Sequence, residues 1–181
     1  MFGWAARWSR KQPDRLKRLA ETVDALASKD VALIQEADRI EKVRISAATE
    51  LHVMCGKFVR DLNNLIDTAE LTLDPPAFES GQFHDGSQNL FQINVRGRIL
   101  QVEFEVTENL ISTENFRHPY VLQGAIRGFN QELLEHDAIE EELLFYCVGR
   151  KTKGWMVFDA RTYRTGPLNE NYFATLLERL V

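Results

Sequence analysis

An apolar line through the first third of the chain constrains its fold more than any other feature. Leu16, Leu19, Val23, Leu26, Leu33, Ala37, Ile40, Val43, Ala47, Leu51, Met54, Phe58, Leu62 and Leu65 recur at steps of three or four, with Asp30 the single polar member. The fifteen positions have a mean step of 3.5. A strand repeats every two residues, so the spacing predicts a helix. Pro13 falls where a first-turn proline is tolerated, with Ser9 and Gln12 near the start. Only Gly56 interrupts the run. A continuous helix over residues 14–68 would extend roughly 80 Å at ~1.5 Å per residue, more than the body it could pack on.

So long a stripe requires a cover, and its 3.5-residue period suits left-handed helical pairing. Two arrangements satisfy it. In one, a straight helix pairs with a second copy or with another protein. In the other, the segment folds into a hairpin at Ser28-Lys29-Asp30, with Ser28 or Asp30 as a cap. Large residues dominate from Leu51 to Leu65, which predicts that this half packs on the body. Ala37, Ala47 and Ala48 permit close approach, and Asp30 marks either a register device or the bend.

After Leu71-Thr72-Leu73-Asp74 the pair Pro75-Pro76 ends the helical regime, and 74–89 reads as a polar loop. The period then becomes two. Strands are expected at 90–95 and 98–106, joined by a tight turn at Arg96-Gly97, and then at 120–129, 143–148 and 155–159. Leu100, Val102, Phe104 and Val106 alternate with Gln101, Glu103 and Glu105, the pattern of a sheet covered on one side and wet on the other. Gly124 and Gly128 weaken or bend their strand. Residues 107–119 read as an irregular connection, and 130–142 as a long bent hairpin or a short helix. Asn169 caps a closing helix whose Phe173, Leu176, Leu177 and Leu180 share one face. The fold class is α+β: a long N-terminal amphipathic helix or helical hairpin, a roughly five-stranded antiparallel meander and a short C-terminal helix. The expected division is a basic aromatic tip at 1–13, a helical arm at 14–70 and a sheet domain at 71–181.

Charge is uneven. Residues 1–18 carry six basic groups against Asp14, a net +5, and the remaining 16 basic and 26 acidic residues give −10. An acidic body argues against nucleic acid as a general partner. Within the tip, Trp4 and Trp8 share a helical face beside Arg7, Arg10 and Lys11. That composition fits an anchor in a partner groove or a membrane surface reached through residues 1–18 alone, and equally a plain cap on a helical pairing. No apolar run approaches ~18 residues, and the N-terminus lacks the apolar stretch of a signal peptide. The expected location is the cytoplasm. Cys55 and Cys147, in unlike contexts, read as buried reduced thiols.

The chemical signatures are absent. His52, His84, His118 and His136 are dispersed, no pair has metal-ligand spacing, and neither a phosphate loop nor a nucleophile elbow is present. Glu140, Glu141 and Glu142 form a charge run of the kind that usually faces solvent. Arg96 and Arg98 at one turn, with Arg150, Lys151 and Lys153 at another, read as solubilising edge charges. No cofactor is expected. The sequence is read as an interaction or scaffold protein that self-associates, as a homodimer, or joins a larger assembly. The contact residues are expected to be Trp4, Arg7, Trp8, Arg10, Lys11, Leu16, Leu19, Val23, Leu26 and Leu33. The alternatives are a chaperone-like or adaptor binder of another polypeptide, and a small-ligand or enzymatic domain using His84, Asp85, Glu105 and His118.

Overall fold

The computed structural model describes residues 12–111, 116, 118–130 and 140–181. Residues 1–11 of the expected tip at 1–13, and residues 131–139 of the stretch read as a bent hairpin or a short helix, lie outside these described residues. Helix α1 spans Gln12–Asn63 and runs through Ser28-Lys29-Asp30 without a break, so the hairpin alternative is not formed. Ser28 is no cap: its hydroxyl donates to the carbonyl of Asp24, 2.8 Å away, one turn back along the same helix. The helix stops seven residues before the expected end of the arm. The side-chain amide of Asn63 takes both backbone groups of Leu71, donating to its carbonyl at 2.9 Å and accepting from its amide at 2.8 Å. That pairing imitates a strand partner and turns the chain into the sheet.

The chain divides into two compact units, residues 1–42 and 43–181. The described part of the first is helical, and every described side chain from Arg15 to Arg39 is exposed. The second holds the rest of α1, the sheet and the closing helix.

Seven strands, two more than the sequence pattern indicates, form one antiparallel meander in chain order. They are β1 (Thr72–Asp74), β2 (Asn89–Val95), β3 (Arg98–Ile111), β4 (Tyr120–Asn130), β5 (Glu140–Val148), β6 (Lys153–Asp159) and β7 (Arg164–Pro167). β2 and β3 meet at a two-residue turn where Arg96 and Gly97 both adopt positive φ, 49° and 83°. Two such residues give the turn the twist that matches its strands. β3 runs five residues further than expected, through a register shift between Val106 and Ile111. β7 is held by its turn, where the Asp159 carboxylate accepts from the Arg161 amide at 2.9 Å and the Thr162 hydroxyl at 2.8 Å. These bonds, the hydroxyl's first, draw the Asp159 pKa down to about 2.

Strand register sorts the side chains into two faces. Phe91, Val102 and Ile126 stand in one row, and Phe104, Leu144 and Val157 in another on the same face. Against this face lie the buried residues of α1, Ala47, Ala48, Leu51, Cys55 and Phe58. Ala47 and Ala48 are wholly inaccessible. Their small size lets the Trp155 indole reach past them and donate to the Ala47 carbonyl at 2.8 Å. Phe104 meets the same indole edge-on, with ring centroids 5.4 Å apart. Helix α2 (Glu170–Glu178) closes this face, with Asn169 as the expected cap accepting from Tyr172 at 3.0 Å. Its Phe173 packs on Phe58, centroids 5.6 Å apart.

The opposite face is not uniformly wet. Phe116, in the stretch read as an irregular connection, stacks on Phe145 at 4.3 Å between centroids. With Tyr120, Cys147 and Phe158 it forms a second, smaller core. At Gly124 the strands approach so closely that a Cβ would lie 1.9 Å from the Glu103 carbonyl oxygen. No other residue fits there, which replaces the weaker expectation that this glycine merely bends its strand.

Replacing Trp155 with Phe keeps a ring in the core but removes the bond to α1. A loss of ~1–3 kcal/mol is expected, and ~3–5 kcal/mol for Trp155→Ala. Urea unfolding followed by far-ultraviolet circular dichroism measures both.

Candidate functional site

The five apolar contact residues expected on the arm are all described, and all are exposed. Leu16, Leu19, Val23, Leu26 and Leu33 retain between 54% and 62% of their accessible surface. Val31 and Ile34, off the line identified in the sequence, are exposed to 54% and 62% and broaden the stripe. Seven of the twelve large apolar side chains exposed among the described residues therefore fall between 16 and 34. Single exposed hydrophobics are ordinary, whereas a contiguous exposed row is uncommon on a monomeric protein. Trp4, Arg7, Trp8, Arg10 and Lys11 lie outside the described residues.

The cause of this surface is geometric. A 3.5-residue repeat places each member about one helical turn from the last, nearly in line. From Ile40 onward the same line passes into partial and then full burial, reaching zero exposure at Ala47 and Leu51. It departs from the expected line at its end, because Leu65 lies past the helix and is 81% exposed. The polar flank of the arm is self-satisfied in places. Arg39 donates through Nε and Nη2 to the two carboxylate oxygens of Glu36, at 2.8 and 2.6 Å. This fork lowers the Glu36 pKa and raises that of Arg39, chiefly through the hydrogen bonds themselves.

Two hollows lie in the 43–181 unit. The first, about 440 Å³, is bounded by Arg44, Asp85, Glu105 and Thr107. It brings together Asp85 and Glu105 of the enzymatic alternative, but its walls include neither His84 nor His118. Arg44 is committed elsewhere: it donates to the carbonyls of Thr107 and Val121 and lies 3.6 Å from Asp85. The second, about 550 Å³, is an open groove over the smaller core, with Phe116, Phe145 and Phe158 below and Glu103, Arg127 and Glu141 at the rim. Arg127 is paired there with both carboxylates.

Two of the described histidines pack against aromatic rings. His52 Nε2 lies 2.8 Å from the Pro75 carbonyl oxygen and its ring packs between Phe78 and Phe91. His118 sits edge-on to Phe116. Among the described residues no group of three His, Cys, Asp or Glu side chains is placed to hold a metal ion. No described helix is long and apolar enough to cross a membrane. Cys55 and Cys147 are free and inaccessible, and burial drives their pKa values up to about 12 and about 11. Thiols so displaced are not thiolates at neutral pH and make poor nucleophiles.

Two expected surface charges turn out to be structural. Glu142, read as part of a solvated run, is only 2% exposed on the helix-covered face and accepts from Arg179 Nη1 at 2.9 Å. Arg98, read as a solubilising turn charge, donates through Nε to the Leu180 carbonyl at 3.1 Å. Both fix the chain's last residues. The only sequence signal for Glu142 is its parity with Leu144 and Tyr146, which puts all three on one face of β5. No family model, curated protein or solved structure matches the chain.

Arg179→Ala would leave the Glu142 carboxylate buried without its cation, and a loss of ~3–5 kcal/mol is expected in denaturant titration. The double change Glu142→Gln with Arg179→Met should recover most of that loss. The two cysteines are expected to resist a thiol-labelling reagent at neutral pH until denaturant is added. Rapid labelling of the native chain would contradict the burial described.

Proposed function

We propose that this chain is an assembly protein that associates with itself through the first half of α1, the 43–181 unit being the body that the arm carries into the complex. One observation supports this above the rest: the row Leu16, Leu19, Val23, Leu26 and Leu33 is more than half exposed along its length. Fully burying such side chains is worth ~1.5–3 kcal/mol each. Covering half of that surface on five side chains from each of two copies is a gain of several kcal/mol. The 3.5-residue period is the one that keeps such a row facing a partner helix. The two hollows favour this reading over a ligand-binding one, since their arginines are already engaged by neighbouring carbonyls or carboxylates.

The test is Leu19→Asp together with Leu26→Asp. Sedimentation at tens of micromolar is expected to show an oligomer for the wild-type chain and a monomer for the double variant. Both residues lie outside the 43–181 unit, so the melting of the sheet should remain where it was. A wild-type chain that sediments as a monomer would overturn the proposal, as would a double variant that keeps its mass.

A further inference from the structure

Resting on the reading of the arm as a self-association element, we infer that the second copy lies antiparallel on α1, about a two-fold axis between Asp24 and Ala25. The exposed stripe is self-complementary about that point. Leu16 then faces Leu33 of the second copy, and Val23 faces Leu26, each contact occurring twice. Every one of the five exposed stripe residues gains a partner within the stretch 16–33.

Asp30 decides the direction. It stands on the apolar line with Leu26 and Leu33 as its neighbours along that line. In a parallel, in-register pair, Asp30 would sit in one layer with its own copy, two like charges side by side at low exposure. In the antiparallel pair it faces Leu19 of the second copy. The two aspartates are then separated by eleven helical positions, roughly 16 Å at ~1.5 Å per residue and beyond the ~8 Å screening length.

Flanking charges agree. The residue preceding each alternate stripe position is Arg15, Thr22, Lys29 or Glu36. Antiparallel pairing about 24–25 sets Arg15 against Glu36 of the second copy, twice, adding a second cation to an exposed carboxylate that already holds Arg39, and sets Lys29 against Thr22. On the other flank it sets Ala20 against Ala27, where small side chains let the helices approach. The parallel pair gains nothing from these residues. There Arg15 meets Ala20, Lys29 meets Ile34, and Glu36 meets Glu41, a repulsion. Other antiparallel registers are poorer. One heptad in one direction puts Lys29 against its own copy, and one in the other puts Arg15 against Lys29. Two heptads toward the body leave Leu16 and Leu19 opposite Ala47 and Arg44. Ala47 is wholly buried, and Arg44 is engaged with Thr107 and Val121.

Single-cysteine variants read the direction. Leu16→Cys and Leu33→Cys are mixed in equal amounts and oxidised at tens of micromolar. The native cysteines are inaccessible and take no part. A 16–33 disulfide between copies, without 16–16 or 33–33 products, is the expected result. Homodisulfides in a chain that sediments as a dimer would overturn the antiparallel inference and leave self-association standing. A dimer that yields neither product overturns this register, and a wild-type monomer overturns both readings. A second measurement keeps the apolar row intact. Glu36→Arg alone is expected to raise the dimer dissociation constant about three- to tenfold, and adding Arg15→Glu should restore it. In a parallel pair Glu36→Arg would instead tighten the dimer, by facing Glu41.

Discussion

A helix buries a stripe only where another surface lies against it, and in this chain the close seating of α1 on the sheet decides where that happens. Ala47 and Ala48 have no exposed surface, and the Trp155 indole holds the Ala47 carbonyl at 2.8 Å. Because a helix turns about 100° per residue, fixing this point fixes which of its neighbours face inward. Leu51, Cys55 and Phe58 follow at the spacing of one face and are buried with it. In the sequence the 3.5-residue line continues toward the N-terminus through Leu33, Leu26, Val23, Leu19 and Leu16.

The sheet's topology makes this division practical. All six strand pairings join neighbours in the chain, so the meander is assembled from local hairpins. Its core residues are supplied by the strands, by α2, by the part of α1 beyond residue 43, and by Leu71, Phe116 and Leu168 in the connections. None of the exposed row contributes to it. The packing that stabilises the second unit is therefore internal to it. The buried Glu142–Arg179 and Arg98–Leu180 contacts have a complementary effect, tying the chain's last residues to the sheet and leaving the helix face of β4 and β5 closed.

Much of this was legible in the sequence, and the failures share physical causes. Long elements with a clear period were legible: the stripe of fifteen positions marks α1 as a helix, and the alternation Leu100-Val102-Phe104 marks β3 and its buried face. β1 and β7 were missed because they are edge strands of three and four residues, held by backbone bonds rather than by buried side chains. Pro75 and Pro167 beside or within them suggested breaks, yet an edge strand tolerates proline where its amide would face outward. The second core was missed because Phe116 belongs to no periodic segment. The run Leu143-Leu144-Phe145-Tyr146-Cys147-Val148 carried the signal: an unbroken apolar strand is covered on both faces. For Glu142 the neighbouring charges obscured a position whose parity placed it inside.

The exposed row, by contrast, could be located but not interpreted from spacing alone. A period of 3.5 is written identically whether the helix lies on its own body or on another chain. What distinguishes the two halves of α1 is the exposure of leucines near 60% before Arg39 and the zero exposure of Ala47 and Leu51 after it. The residue types follow the same division. The covered half places alanines where the sheet comes closest, a device that matters only against a surface at fixed distance. The uncovered half carries Leu16, Leu19, Val23, Leu26 and Leu33 on its line, with Ala20 and Ala27 beside it and Ala37 at its end. Asp30 fits the same logic. On a helix seated against its own sheet it would be a buried charge without a counter-ion, whereas in the proposed pair of helices it would stay within reach of water and disfavour the parallel alignment.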